Sequence, residues 1–219
     1  MAHPTTQQLP ELPDRMSWEE LAKLPSEIAG QIELWDGYVV WVRRGPPEHQ
    51  QCTEMFSAAM RRNAQRDATH HPEHCWRAAL ETNVFLQRGS KDDYLTPDFL
   101  IYRCLEKAYD YVHFDDALLV GEVLSPSNTE RDIEAKKARY ADAGIPWYWE
   151  VTLSREPRGI ASVRAFALQT RAGELPPGVA PLHKANYLAV GEWTPHRDPD
   201  GMRIEFPFAI HIPWSEVEF

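Results

Sequence analysis

The chain has 219 residues, 43% of them hydrophobic, and a formal net charge of −10 at pH 7. It is long enough to bury one core, no apolar run reaches the length of a membrane span, and no basic, apolar leader opens it. The charge argues against tight binding along a whole duplex, because neutralising many phosphates takes a basic surface. We expect one cytoplasmic domain with no membrane anchor.

The cysteines and histidines do not predict a disulfide framework or a zinc site. Cys52, Cys75 and Cys104 are odd in number and lack C-x-x-C spacing, so we expect them to be reduced and buried. Residues 70–75 hold three histidines and a cysteine, but no second paired cluster exists in the sequence to complete tetrahedral coordination. The run is interpreted as a polar loop.

The first third of the chain contains a tail, a short helix and a hairpin. Residues 1–15 hold three prolines and little apolar periodicity, which predicts a mobile tail before a single domain over 16–219. A capping box at 17–20 starts a short helix. Strand patterns at 31–35 and 38–42 are joined by Asp-Gly, a strong hairpin signal.

The next elements are predicted as a helix of about twenty residues after Pro46-Pro47 and strands over 75–86 and 95–102. Downstream, 146–153 and 161–168 have the pattern of a hairpin, and short strands are expected near 187–190 and 202–206. Together these patterns predict an α/β protein with a mixed sheet flanked by helices and a β-rich C-terminal extension over 156–219.

The most informative stretch is 118–149. An apolar run ends in a strand that contains Glu122, and a carboxylate in a buried strand is costly unless it is paired, hydrogen-bonded or holding a cation. Because side chains alternate along a strand, Glu122 shares a face with Val120 and Leu124. Glu122 therefore calls for a partner from elsewhere in the chain.

The segment after this strand is predicted to supply the partner. A capping box at 127–130 opens a helix over about 129–143, and Asp132, Lys136 and Tyr140 are spaced by four along one of its faces. By itself the Asp132 and Lys136 pair is typical of a solvated helix face. Beside a buried strand acid, however, the lysine becomes a candidate site residue.

A second acid, Asp98, follows Pro97 at the start of a predicted strand, where it could also be a simple strand-start residue. Two carboxylates and a lysine are the residue types of a magnesium-dependent phosphodiesterase, because hard cations prefer carboxylate oxygens and an ammonium offsets charge in the transition state. We therefore predict a metal-dependent site from Asp98, Glu122 and Lys136.

The strings TPDFLIY, LLVGEVLSPSN, D-x-x-x-K-x-x-x-Y and AGIPWYWEV occur in that order, after IELWDGYVV and the helix-opening His49. This arrangement resembles the Uma-type family of putative restriction endonucleases, a branch of the PD-(D/E)XK nuclease superfamily, over about residues 27–155. The resemblance implies a restriction-endonuclease-like fold and an endonuclease that cuts phosphodiester bonds in nucleic acid, with DNA as the expected substrate.

The resemblance also implies the roles of individual residues. Asp98, Glu122 and the Val123 carbonyl would hold Mg²⁺ or Mn²⁺, and Lys136 would orient or activate water. Asp132 would position the lysine. His49, which matches the histidine of the family pattern, could contact phosphate or assist proton transfer, or it could be a capping or structural histidine at the helix start.

The chain departs from the superfamily pattern at one position. The general Asp/Glu-x-Lys form would place a lysine at 124, where this chain has Leu124. The resemblance implies that Lys136 takes its place, and Lys136 is preferred to Lys137 because it shares the face of Asp132.

Several alternatives stay open at this point. The chain could be a non-catalytic nucleic-acid or partner-binding protein in which Leu124 marks a lost lysine, or a metal-independent hydrolase that uses two acids on a small substrate. Glu33 is either a further carboxylate of the site or a hairpin charge. A homodimer is also left open, with tryptophans at 147, 149, 193 and 214 in the core or at a subunit interface.

Overall fold

The computed structural model describes residues 11–42, 45–125, 128–169 and 185–219. The described helices are α1 (Trp18–Leu21), α2 (Ser26–Ala29), α3 (Pro47–His70) and α4 (Glu130–Ala143). The strands before α4 are β1 (Ile32–Trp35), β2 (Tyr38–Trp41), β3 (Trp76–Leu80), β4 (Val84–Phe85), β5 (Tyr94–Leu95), β6 (Phe99–Arg103), β7 (Val112–His113) and β8 (Ala117–Leu124). The strands after α4 are β9 (Trp147–Arg155), β10 (Arg158–Gln169), β11 (Asn186–Trp193), β12 (Met202–Ile204) and β13 (Ile210–Ile212), followed by a 3-10 turn (Trp214–Glu216).

The strands form two main sheets. A six-stranded sheet has the order β11-β10-β9-β8-β6-β3, and a five-stranded sheet has the order β2-β1-β5-β4-β7, while β12 and β13 form a separate ribbon. In the larger sheet β8 and β9 are parallel and are connected through α4, whereas the other neighbours are antiparallel. This is the mixed, helix-flanked α/β architecture predicted from sequence, and β10 and β11 extend the larger sheet at one edge.

Two predicted strands are wrong as continuous elements. The stretch 75–86 divides into β3 of the larger sheet and β4 of the smaller one, and 95–102 divides into β5 and β6 in the same way. The first crossing follows Glu81, whose φ is +42°, and the second passes through Pro97, which has no N–H for a ladder. Asp98 therefore lies where the two sheets meet.

The two long helices cover opposite faces of the larger sheet. Helix α3 buries Cys52, Phe56 and Met60 against side chains that include Phe99 and Leu119. On the other face, Tyr140 of α4 packs with a second set of apolar side chains that includes Leu100, Val120 and Tyr148. Glu122 shares the α4 face of β8, as the alternation of side chains predicts.

Hydrogen bonds and caps fix the ends of several elements. Asp36 and Gly37 both have positive φ, at +52° and +81°, which is the geometry of a tight hairpin turn between β1 and β2. The predicted capping box of α1 is present, with Ser17 and Glu20 bonding reciprocally. Helix α4 is capped instead by Thr129, whose hydroxyl accepts from the Asp132 N–H at 3.2 Å. Residue 127 of the expected box lies outside the described residues.

The last residues of the expected tail contact the β1–β2 hairpin. Residues 1–10 lie outside the described ranges, but Asp14 and Arg15 are tied to the hairpin. The Asp14 carbonyl accepts from the Val39 N–H at 2.9 Å, and the Arg15 guanidinium donates to the Asp36 carbonyl at 2.8 Å.

The prediction that all cysteines are reduced is also wrong. Cys75 and Cys104 form a disulfide, whereas Cys52 is free and buried. The register pairs Trp76 with Arg103, so the cysteines face each other one position beyond this pair, with Cα atoms 5.4 Å apart. The pairing of β3 with β6 brings the two cysteines together, and their spacing in the sequence does not reveal that pairing.

None of the helices within the described ranges combines the length and apolarity needed to cross a membrane.

Gly121 fits where a larger residue would not. It faces Phe99 across the β6–β8 ladder, and a Cβ at this position would lie 2.0 Å from Cζ of the Phe99 ring. That ring stacks on Phe56 with centroids 5.5 Å apart, so it cannot move aside freely. We expect Gly121→Ala to lower the free energy of unfolding by about 1–3 kcal/mol in urea denaturation.

A Phe99→Leu background supplies the control. Removing the ring relieves the clash, so Gly121→Ala should cost less in Phe99→Leu than in the wild type. An equal cost in both backgrounds would contradict the proposed contact.

Candidate metal-dependent active site

One cleft brings together all of the side chains predicted to form the site. It has a volume of about 920 Å³ and is lined by His49, Asp98, Glu122, Asp132 and Lys136, together with residues of the β1–β2 hairpin. Its walls come from the start of α3, the ends of β6 and β8, the first turns of α4 and the smaller sheet. The cleft therefore lies at the junction where the chain crosses between sheets.

Strand register explains why Asp98 and Glu122 meet. Phe99 pairs with Gly121, so one further step places Asp98 opposite Glu122, and directly paired residues project from the same face. The backbone pairing of β6 with β8 ends at Phe99, although the Asp98 carbonyl still accepts from the Glu81 N–H after β3 at 3.1 Å. On the β8 side, Asp98 Oδ2 accepts from the Val123 N–H at 2.6 Å, which fixes the carboxylate just before the start of β6.

Lys136 reaches the site from α4. Its Nζ lies 2.9 Å from Glu122 Oε1 and 3.1 Å from Glu33 Oε1, and it donates to the Thr96 carbonyl at 3.0 Å. Tyr140, one turn later, donates its hydroxyl proton to Glu122 Oε1 at 2.7 Å. The four-residue spacing of Lys136 and Tyr140 thus lets both side chains bind the same carboxylate.

Lys137 has a different partner. Its Nζ lies 2.7 Å from Glu150 Oε1, on the neighbouring strand β9, and Arg164 contacts the other oxygen of that carboxylate. The structure therefore places Lys136, and not Lys137, against Glu122.

Glu33 is the residue whose importance the sequence leaves undecided. Its side chain is fully buried, and it accepts hydrogen bonds from the Trp35 indole at 2.9 Å and the Thr96 N–H at 2.8 Å, besides pairing with Lys136. The sequence does contain a signal for this burial, because Glu33 is a charged residue between the apolar Ile32 and Leu34 of a strand. The same kind of pattern singles out Glu122. Glu33 belongs to the site and is not a solvated hairpin charge.

His49 approaches Asp98 from the other side. Its Nε2 lies 3.2 Å from Asp98 Oδ2, and its ring packs on the backbone of Gly45, where a Cβ would lie 2.2 Å from the His49 Cγ. Burial lowers the pKa of His49, but the hydrogen bond and charge of Asp98, with the charge of Glu122, outweigh this effect and raise its pKa overall.

The expected role of Asp132 is wrong. Its Oδ2 accepts from the Thr129 hydroxyl at 2.6 Å, and in the described part of the chain it makes no ion pair with Lys136. Glu33 and Glu122 hold the lysine instead. Asp132 lies at the first turn of α4, where it lines the cleft and supports the cap.

The site carries more negative than positive charge. Burial raises the pKa of Glu122, Lys136 lowers it, and the charges of Asp98 and Glu33 raise it, so that the net pKa is about 7. Burial lowers the pKa of Lys136, but the charges of Glu122, Glu33 and Asp98 outweigh burial, so its pKa is raised and it remains an ammonium. Two carboxylates thus contact the one lysine, and a third, that of Asp98, lies in the same cleft.

Comparison with known proteins identifies the family. A model described as "Uma2: Putative restriction endonuclease" matches residues 18–171. The chain belongs to the Uma2 family. Its fold is similar to a crystal structure of "a putative nuclease belonging to DUF820" from Anabaena variabilis, with a TM-score of 0.56 and 14% sequence identity over 92% of this chain and 97% of that chain. No curated protein is similar enough to count as a match.

Leu124 departs from the pattern of the superfamily to which this Uma2 protein was predicted to belong. It is buried, lines the cleft and shares the face of Glu122, so a lysine at this position would have reached the same carboxylate. Lys136 delivers an ammonium to that carboxylate from α4 instead. The missing strand lysine therefore does not leave Glu122 without a cation.

The donor set fits a hard divalent cation held by few side chains. No group of three or more His, Cys, Asp or Glu side chains suited to a metal occurs among the described residues, and the histidine run at 70–75 is no exception. Asp98 and Glu122 nevertheless offer two carboxylates. Val123, next to Glu122 in the chain, also lines the cleft.

Removing the central ammonium should destabilise the fold. Lys136→Met would leave Glu33 and Glu122 buried without their shared cation, and breaking a buried pair in this way costs about 3–5 kcal/mol. We expect a loss of this size in the free energy of unfolding, measured in urea at neutral pH without divalent metal.

Adding Glu122→Gln to Lys136→Met removes one of the stranded charges and should restore part of the loss. If the single and double variants are equally unstable, Lys136 does not offset the charge of Glu122.

Proposed function

We propose that this Uma2 protein is a divalent-metal-dependent endonuclease that hydrolyses phosphodiester bonds, with DNA as its substrate. The observation that carries the proposal is the meeting of Asp98, Glu122 and Lys136 in one cleft. Family membership supports a nuclease in general, and the family's description as restriction endonucleases favours DNA. The metal requirement rests on the chemistry of the donor set.

Asp98, Glu122 and the Val123 carbonyl would hold Mg²⁺ or Mn²⁺. When bound, such a cation neutralises phosphate charge and polarises the attacking water. The hydrogen bond from the Val123 N–H holds the Asp98 carboxylate in place, and that from Tyr140 holds Glu122. Both carboxylates are thus oriented before any ligand arrives, which reduces the reorganisation needed to bind one.

Lys136 acts as a fixed positive charge. Because its pKa is raised, it does not take a proton from water; its positive charge offsets negative charge on the reacting phosphate. Its three contacts, with Glu33, Glu122 and the Thr96 carbonyl, aim the ammonium into the cleft. Glu33 is therefore a positioning residue for Lys136.

His49 is the candidate for proton transfer. Its contact with Asp98 raises its pKa, which favours the protonated imidazolium, and it lines the same cleft. In this state it can donate a proton to the leaving oxygen or a hydrogen bond to phosphate.

The first test is cleavage of supercoiled plasmid and of circular single-stranded DNA with Mg²⁺ or Mn²⁺. We expect Asp98→Ala and Glu122→Ala to lower the cleavage rate at least about 100-fold, because each removes a ligand of the cation. Asp115→Ala, which removes an exposed carboxylate paired with Arg88, is the matched control and should keep full activity.

EDTA should abolish cleavage by the wild type. Activity that survives EDTA would favour a metal-independent acid–base hydrolase. Failure of the wild type to cut either DNA, or full activity of both alanine variants, would contradict the proposed function and favour a non-catalytic binding protein.

A second prediction concerns Gly45. Since a Cβ there would overlap the His49 ring, Gly45→Ala should displace the imidazole from Asp98 and reduce the cleavage rate about as much as His49→Ala. The double variant should be no slower than His49→Ala alone, because both changes act through one side chain. Additive losses in the double variant would show that Gly45 acts in another way. Far-UV circular dichroism checks that each variant is folded.

A further inference from the structure

We infer that nucleic acid enters the cleft as an unpaired strand, with one base stacked on the indole of Trp41. This inference rests on the proposed function, and it names the substrate class of the same site. Three features support it: the depth of the reactive groups, the charge of the cleft, and the aromatic wall formed by α1 and the β1–β2 hairpin.

The reactive groups lie below the surface. The side chains of His49, Asp98, Glu122 and Lys136 are only 10%, 15%, 11% and 17% exposed. The cleft volume, about 920 Å³, falls within the range of pockets that enclose small ligands, roughly 300–1,000 Å³. A scissile phosphate must therefore descend into the cleft. An unpaired backbone bends to do so, whereas a duplex stays stiff over about 150 base pairs.

The charge of the cleft disfavours a duplex. The described lining carries the acids Glu33, Glu81, Asp98, Glu122 and Asp132, and its only lysine or arginine is Lys136. A duplex brings one phosphate charge for about every 1.7 Å of its axis, and a single strand one for about every 3.4 Å. The two positive charges of a bound divalent cation therefore offset a larger share of the phosphate charge on a single strand than on a duplex. With a net charge of −10, the chain as a whole does not compensate for this difference.

The aromatic wall offers an attraction that does not depend on charge. Trp18, Trp35 and Trp41 all line the cleft. The ring of Trp18 is met by three aromatic neighbours, and the Arg139 guanidinium lies over Trp35 at 5.2 Å. Trp41 packs against the core cluster that contains Ile32 but stays partly exposed, and within the described ranges no ring or cation stacks on its indole. A base can therefore stack there, and such stacking is tolerant of sequence.

Binding measurements test the inference without cleavage. Fluorescence anisotropy of the Asp98→Asn variant with Mg²⁺ compares a labelled oligodeoxythymidylate with a blunt duplex of equal length. We expect the single strand to bind at least about ten-fold more tightly. Trp41→Leu in the same background should weaken single-strand binding about ten-fold and leave duplex binding unchanged, while Trp41→Phe should retain most of the affinity.

Tyr38 provides the matched control. It lies on the same strand as Trp41, is more exposed, and does not line the cleft. Tyr38→Leu should leave single-strand binding unchanged, and an equal loss in Tyr38→Leu and Trp41→Leu would overturn the role of Trp41. If Trp41→Leu does not fold, the affinity of Trp41→Phe for the single strand still tests the stacking. The preference of the Asp98→Asn variant for single-stranded over duplex DNA still tests the unpaired-strand inference.

Cleavage separates this inference from the proposed function. Faster cutting of circular single-stranded DNA than of its duplex form by the wild type supports both. Equal or faster cutting of the duplex, or equal binding of both DNAs, overturns the unpaired-strand inference and leaves the nuclease proposal intact. If neither DNA is cut, the proposed function fails. The strand preference is then tested only by comparing the binding of single-stranded and duplex DNA.

Discussion

The structure depends on one buried ammonium group. Lys136 lies between Glu33 of the smaller sheet and Glu122 of the larger sheet, and it also bonds to the Thr96 carbonyl at the point where the chain crosses from one sheet to the other. Neither carboxylate could remain ionised in its strand without such a partner. The same contact therefore joins the two sheets, docks α4 and creates the charged centre of the cleft.

A second ion pair joins α4 to the larger sheet, one residue further along the helix. Lys137 pairs with Glu150 of β9, and Glu150 lies beside Glu122 in the parallel register of β8 and β9. Adjacent lysines thus bind adjacent strands, which fixes both the height of the helix over the sheet and its rotation. This double attachment explains how a helix-borne side chain can be held as firmly as one on a strand.

Much of this arrangement could be predicted from the sequence, because local patterns carry it. A carboxylate inside an apolar strand, a lysine and a tyrosine spaced by four, and an Asp-Gly turn identified Glu122, the active face of α4 and the β1–β2 hairpin. What the sequence could not supply was pairing between distant segments. The division of two expected strands between sheets, the Cys75–Cys104 disulfide and the burial of Glu33 all follow from register and sheet order, which local patterns do not encode. The expected role of Asp132 failed because helical spacing alone does not say which of several acids a lysine will choose.

The lysine's position on a helix has a mechanical consequence. A lysine two residues after the glutamate, on the same strand, would keep a constant distance from its carboxylate, whatever the rest of the chain did. In this protein Glu122 belongs to a strand, while the ammonium belongs to α4, so the distance between the two charges depends on how that helix is docked. A substitution at Glu150 that loosened the attachment of Lys137 would therefore also shift Lys136 relative to Glu122, although Glu150 does not line the cleft.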